Sequence, residues 1–292
     1  MEIYLGDIFR PPSEAYSIIL QVTTGCSYNK CTFCGMYKDK KFSVRPIKEI
    51  KEIIAFFKRK YPFVEKVFLA DGDALSAPTD YLLEVLDVLK NTFPRLKKVS
   101  SYAGPKSLLN KKDEELKLLH DHGLNLLYLG LESGSDIILK NVQKGFTANE
   151  IITACHKAKS ANFELSLTVI SGLGGREHWE EHAIASAEVV SKINPHFLAT
   201  LTLMLVPGTK LAKEVQENRF QMPSAKEILK ELRMFLYNLN LTNTVFRSNH
   251  ASNYLILKGT LNQDREKLIK ILDDVINNEG VFYLRPEYLR RL

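Results

Sequence analysis

The stretch "YSIILQVTTGCSYNKCTFCGMY", Tyr16 to Tyr37, joins an apolar run to a loop holding three of the chain's four cysteines. Tyr16 to Val22 is the first candidate strand, and it ends at the cysteine loop. Cys26, Cys31 and Cys34 then fall within nine residues, with spacers of four and two. Three thiolates this close can face one metal centre if the loop wraps around it. Structural zinc wants four closed ligands. The remaining cysteine, Cys155, shares a helical face with Ile151 and Ala158 and reads as core. Iron–sulfur clusters usually take four thiolates, so three leave one iron with an open, reactive position.

The pattern repeats outward from that strand. Candidate strands at Val64–Ala70, Lys98–Tyr102, Leu126–Leu131, Glu164–Ile170 and Phe197–Val206 alternate with stretches of helical spacing. Ile47, Ile50, Ile54 and Phe57 form one such face, and Leu82, Leu86 and Leu89 another. Asn110 is placed to cap a helix that Gly123 ends, and Thr147 with Glu150 forms a capping box. Helices are also expected from about Glu177, over about Ser224–Leu239 and over about Gln263–Asn277, with "TVFRSNHASNY" as one more short strand opening into a loop. Alternating β and α units argue for a parallel sheet wrapped by helices. The expected fold is α/β, a partial (β/α)6 TIM-like barrel with a short C-terminal extension. No composition shift or long linker interrupts it, so one domain is expected, with residues 1–241 as core and 242–292 as an extension packed on it. Chemistry in such folds belongs at the C-terminal strand ends, and the unusual local sequences lie there.

Composition bounds the rest. The chain has 292 residues, 45% hydrophobic and 25% charged, as ordinary globular proteins do. The start lacks a basic, apolar signal, and no apolar run approaches the roughly 18 residues of a membrane span, so the expected location is cytoplasmic, with no membrane. A net charge of +6 is carried by scattered groups such as Lys38 to Lys41, Lys58-Arg59-Lys60, Lys97-Lys98 and Arg290-Arg291. No basic stripe with interleaved aromatics is visible along the chain, which disfavours nucleic acid.

With three clustered cysteines after the first strand, Phe33 just before the third, and a six-fold β/α pattern, the chain resembles the radical S-adenosylmethionine enzymes over about Ser17 to Gly208. The match departs at one place: the first spacer has four residues, Ser27 to Lys30, where that family usually has three. The resemblance implies a [4Fe–4S] cluster on Cys26, Cys31 and Cys34, with S-adenosylmethionine chelated at the open iron. Electron donation to the sulfonium then yields a 5′-deoxyadenosyl radical that abstracts hydrogen from a substrate.

It also implies cofactor contacts. "ADGDAL" places Asp71, Gly72 and Asp73 where the family holds the amino group of S-adenosylmethionine. "YLGLESGSD" is similar to the branch containing oxygen-independent coproporphyrinogen oxidase and the methylthiotransferases, with Glu132 toward the ribose or methionine part. "TVISGLGG" brings Ser171 and Gly172 to the adenine. Arg247, His250 and Asn253 in "RSNHASNY" are the candidates for catalysis on the substrate, Arg247 for a carboxylate or phosphate and His250 for proton work. Cys155 alone cannot ligate a second cluster, which disfavours sulfur insertion, and no segment has room for a cobalamin domain. What remains is hydrogen abstraction from a small-molecule substrate, with a ferredoxin or flavodoxin as electron donor. The alternatives are a non-catalytic haem- or Fe–S-binding protein of the same fold and a zinc-stabilised interaction domain.

Overall fold

Short apolar runs became strands and three-to-four-spaced runs became helices in the computed structural model, which describes residues 2–277 and 284–291. The chain forms two compact units, residues 1–29, 36–129 and 153–165 in the first, and 30–35, 130–152 and 166–292 in the second. The sequence suggested one domain. Because the chain passes repeatedly from one unit to the other, no linker or composition shift marks the division. The described residues from 242 onward lie in the second unit.

In the first unit, β1 (Ile18–Gln21), β2 (Lys66–Ala70), β3 (Lys98–Tyr102) and the start of β4 (Leu124–Glu132) pair in that order, all parallel. Helices α1 (Ile47–Lys60), α2 (Thr79–Thr92), α3 (Pro105–Asn110) and α4 (Asp113–Asp121) separate them. Ile50, Ile53, Ile54 and Phe57 bury one face of α1, each such side chain stabilising by about 1.5–3 kcal/mol. The first strand starts two residues later than its apolar pattern, at Ile18, since a 3-10 turn at Pro12–Glu14 precedes it and Tyr16 points to solvent. Asn110 is not a cap. Pro105, favoured at a helix start, opens α3 earlier and Asn110 ends it, while Glu115 accepts from the Lys112 N–H to begin α4.

In the second unit, β5 (Glu164–Ser171), β6 (Phe197–Thr202) and β7 (Thr244–Ser248) are parallel, and β8 (Leu257–Leu261) pairs antiparallel with β7. β6 stops at Thr202, four residues short of the expected Val206, and leads to a turn in which the Thr209 N–H meets the Val206 carbonyl at 3.2 Å. The intervening helices are α5 (Asp136–Asn141), α6 (Ala148–Ser160), which continues into the first unit, α7 (Trp179–Ile193), α8 (Lys210–Gln216), α9 (Ala225–Asn238) and α10 (Arg265–Asn277). Thr147 and Glu150 cap α6 as expected, and Ser224 with Glu227 caps α9 in the same way. The mixed α/β class with parallel strands is the expected one. β8 went unseen, because only its two end residues are buried and "LKGTL" has no strand signal.

Candidate functional site

β2 delivers two carboxylates that fix the cysteine loop. Asp71, fully buried, uses Oδ2 to accept from the Gly25 N–H at 3.0 Å, from the Gln21 side-chain amide at 2.9 Å and from Lys40 Nζ at 3.3 Å. Its Oδ1 is buried without a partner. Asp73 accepts from Ser27 Oγ at 2.5 Å through Oδ2, and from the Gly104 N–H at 2.9 Å and Ser107 Oγ at 2.8 Å through Oδ1. Burial raises its pKa, against the lowering effect of these bonds. The residues on both sides of Cys26 are thereby tied to β2. Gly72 donates its N–H to the Gly25 carbonyl at 3.0 Å. A Cβ there would stand 2.5 Å from the Tyr37 ring and 3.1 Å from Cys26 Cβ, so only glycine fits.

The second part of the loop belongs to the second unit. The Thr32 N–H meets the Val142 carbonyl at 2.9 Å, and its carbonyl accepts from the Leu211 N–H at 3.0 Å. Phe33 packs against the cluster of Ile138, Val142, Leu173, Leu203 and Leu211. A Cβ on Gly35 would fall 2.4 Å from Val206 Cγ1. Cys26, Cys31 and Cys34 are half-buried and form no disulfide, whereas Cys155 is buried and its thiol is pushed up to about 12 by desolvation. Among the described residues, no group of three or more His, Cys, Asp or Glu could hold a single metal ion. Gly72 keeps space open beside Cys26, and thiolates are the donors that iron–sulfur clusters take.

At the end of β4, Glu132 takes a left-handed backbone with φ 66, a conformation costing a non-glycine residue of order 1–3 kcal/mol. Its carboxylate pairs with Lys144 at 2.9 Å, both side chains largely buried. The next residue, Ser133, meets His182 Nδ1 at 2.8 Å, and His182 Nε2 meets the Ile170 carbonyl at 3.0 Å. Glu231 Oε1 accepts from the Gly172 N–H at 2.9 Å and lies 3.6 Å from His182 Nε2, while its Oε2 has no partner. Gly172 has φ 88, and a Cβ there would reach within 2.6 Å of Ile228. The turn at Ser171 and Gly172 is held from behind by two buried titratable side chains. Desolvation pushes Glu231 up to about 8 and His182 down to about 4, so both stay neutral at pH 7. The sequence reading missed both. Glu231 shares the spacing of Ile228, Leu232 and Phe235 on α9, a signal that its side chain is buried.

The three candidates after β7 are engaged separately. Arg247 is exposed and bonds the Phe246 carbonyl at 2.8 Å. His250 Nδ1 pairs with Ser252 Oγ at 2.9 Å, and burial, followed by the nearby Arg285 charge, lowers its pKa. Asn253 is buried, donating to the Thr200 carbonyl at 2.8 Å and accepting from Thr202 Oγ1 at 3.0 Å. Arg285 donates to the carbonyls of His250, Ala251 and Asn253, and Arg290 to those of Ser252 and Leu203. No described helix is long and apolar enough to cross a membrane.

A family model described as the Radical SAM superfamily matches residues 20–187. The heme chaperone HemW of Bacillus subtilis is 22% identical over 169 residues, covering 57% of this chain and 44% of its own. Coproporphyrinogen III oxidase (HemN) from Escherichia coli, a radical SAM enzyme, superposes with a TM-score of 0.56 at 17% identity, covering 76% of this chain and 52% of its own. Methylornithine synthase (PylB) does so with a TM-score of 0.55 at 19% identity, covering 77% and 63%. These likenesses establish a TIM-like radical SAM fold. The chain spans less than half the length of the curated relatives it matches.

Proposed function

This chain belongs to the radical SAM superfamily, and from that premise we propose that it is an enzyme that takes a hydrogen atom from a small-molecule substrate. The superfamily uses a [4Fe–4S] cluster and S-adenosylmethionine. The observation that carries the reading is the loop after β1, with three reachable thiols in the spacing of Cys26, Cys31 and Cys34 and no side chain permitted at Gly72. When bound there, the cluster and S-adenosylmethionine supply one-electron cleavage of the sulfonium.

The chain's own residues do the holding. Cys26, Cys31 and Cys34 are assigned as ligands. Asp71 keeps one buried carboxylate oxygen without a donor, which suits an ammonium group. Glu132 presents a carboxylate whose charge Lys144 balances, and it can accept from hydroxyls. Ser171 and Gly172 offer a turn that Glu231 and His182 keep in place. Phe33, packed among aliphatic side chains, stiffens the loop between its second and third cysteines. His250 remains the candidate for proton work, Arg247 for an anionic substrate group, and Asn253 for the shape of their loop. Reduction calls for a donor, for which an acidic ferredoxin or flavodoxin suits a chain of net charge +6.

Anaerobic reconstitution followed by reduction with S-adenosylmethionine present tests the reading, with 5′-deoxyadenosine as the expected product. A protein that forms its cluster and never cleaves the sulfonium would sink it. A second reading, a haem-handling protein of this fold, is favoured by the similarity to a heme chaperone over 57% of the chain. It predicts a haem absorption band without turnover of S-adenosylmethionine.

A further inference from the structure

Two basic segments some 30 residues apart in sequence meet at the N-terminal strand ends of the first unit. α1 finishes with Lys58, Arg59 and Lys60, and Tyr61 and Phe63 follow before β2 begins at Lys66. The connection from α2 to β3 carries Arg95 and Lys97. The N–H groups of Lys97 and Lys98 both meet the Glu65 carbonyl, at 2.9 and 3.2 Å, and so join the two segments.

Phe63 is 66% exposed and Tyr61 47%, large aromatic areas that folding leaves in water. Cations lie over these rings: the Arg95 guanidinium is 4.5 Å from the centre of Phe63, and Lys60 Nζ is 5.3 Å from that of Tyr61. The acid among them, Glu65, is taken by Lys97 at 2.9 Å. Arg59, Lys60, Lys66 and Arg95 have no ion pair among the described residues. A hollow of about 400 Å³ runs beside them, lined by Glu65, Pro94, Arg95, Leu96 and Lys97.

Four cations without an ion pair call for a polyanion. Tyr61 is already stacked on Phe57 at 6.4 Å, whereas Phe63, with Arg95 on one face and most of its ring in water, leaves a flat surface for a planar group. A lipid surface fits poorly, because the outward face of α1 carries Lys48, Lys51, Glu52, Ala55 and Arg59 and has no apolar stripe to sink. An acidic electron donor would dock at the wrong end. β2 starts here and runs about 16 Å, at a rise of about 3.3 Å per residue, before Gly72 approaches Cys26. We infer that this face binds single-stranded nucleic acid, with phosphates on Arg59, Lys60, Lys66 and Arg95 and a base stacked on Phe63. The sequence expectation against nucleic acid rested on the absence of a linear stripe. The fold assembles the stripe from separated segments.

Fluorescence anisotropy of the full chain with a labelled 12-nucleotide single strand tests this. Four phosphate contacts at about 0.7 counterion each give a log–log salt slope near −3, or about fiftyfold weaker binding at 200 mM than at 50 mM salt. Phe63→Ala should weaken binding about tenfold, and Arg59→Glu with Lys60→Glu should lower the slope to about half, both with an unchanged circular dichroism spectrum. Lys226→Glu with Lys230→Glu, exposed on α9, should change nothing. The inference is overturned by an absence of saturable binding at 50 mM salt. It is equally overturned by equal affinity for a duplex with no effect of Phe63→Ala, or by binding to phosphatidylserine vesicles or polyglutamate in preference to the oligonucleotide.

Discussion

Replacing Glu231 with glutamine should make the protein more stable, and increasingly so as pH rises. Burial moves the Glu231 carboxyl from its ordinary 4.5 to about 8. Below pH 4.5 the folded and unfolded chains both hold that proton and the site is neutral in its effect. Between 4.5 and 8 the unfolded chain releases it while the folded chain keeps it, so the native state binds more protons and loses stability as pH rises. Each pH unit in that window costs about 1.4 kcal/mol. Glutamine does not titrate, and its carbonyl can still accept from the Gly172 N–H now met by Oε1. The stability difference between Glu231→Gln and the parent protein should grow by about 3 kcal/mol from pH 5.5 to pH 8.5. His182 acts in the opposite sense. With its pKa held down to about 4, it loses stability as pH falls below its ordinary 6.5, and it does so in both proteins. Parallel urea unfolding of the two proteins at pH 5.5, 7 and 8.5, followed by circular dichroism, gives the difference directly. A difference that stays flat within about 1 kcal/mol would show that Glu231 ionises in place, hydrated or ion-paired with His182, and would refute the reasoning.

Other outcomes follow from the same geometry. Alkylation of the iron-free native protein at pH 8 should label Cys26, Cys31 and Cys34 and spare Cys155, counted by mass spectrometry, because a buried thiol near 12 offers almost no thiolate. Gly72→Ala should cost about 1–3 kcal/mol and lower iron retention after reconstitution, since its Cβ would collide with the buried Tyr37 ring. Glu132→Gln should remove the largely buried ion pair with Lys144, destabilise the fold by about 2 kcal/mol and weaken S-adenosylmethionine binding in titration calorimetry.

Much of the fold was readable because it depends on local periodicity. β3 begins and ends where the sequence placed it, at Lys98 and Tyr102, and the Thr147–Glu150 cap starts α6 as its spacing requires. The cysteine loop was readable for the same reason, its three thiols lying within one short segment. What escaped depends on contacts between distant residues. Asp71 and Asp73 stood out as acids, yet their bonds to Gly25 and Ser27 cross more than 40 positions. Glu231 and His182 look like ordinary helix residues until the turn at Gly172 is set against them. The basic face needed the connections after α1 and α2 to be brought together by the Glu65 carbonyl.

The grip of β2 on the residues flanking Cys26 has a consequence for how the iron centre is installed. Zinc fingers acquire their shape from the metal and melt when it is chelated away. Here backbone and carboxylate bonds already lock the first thiol's neighbourhood, so stripping the iron should bleach the protein without unfolding it. The emptied chain can then be reloaded, with little rearrangement demanded at that anchor point.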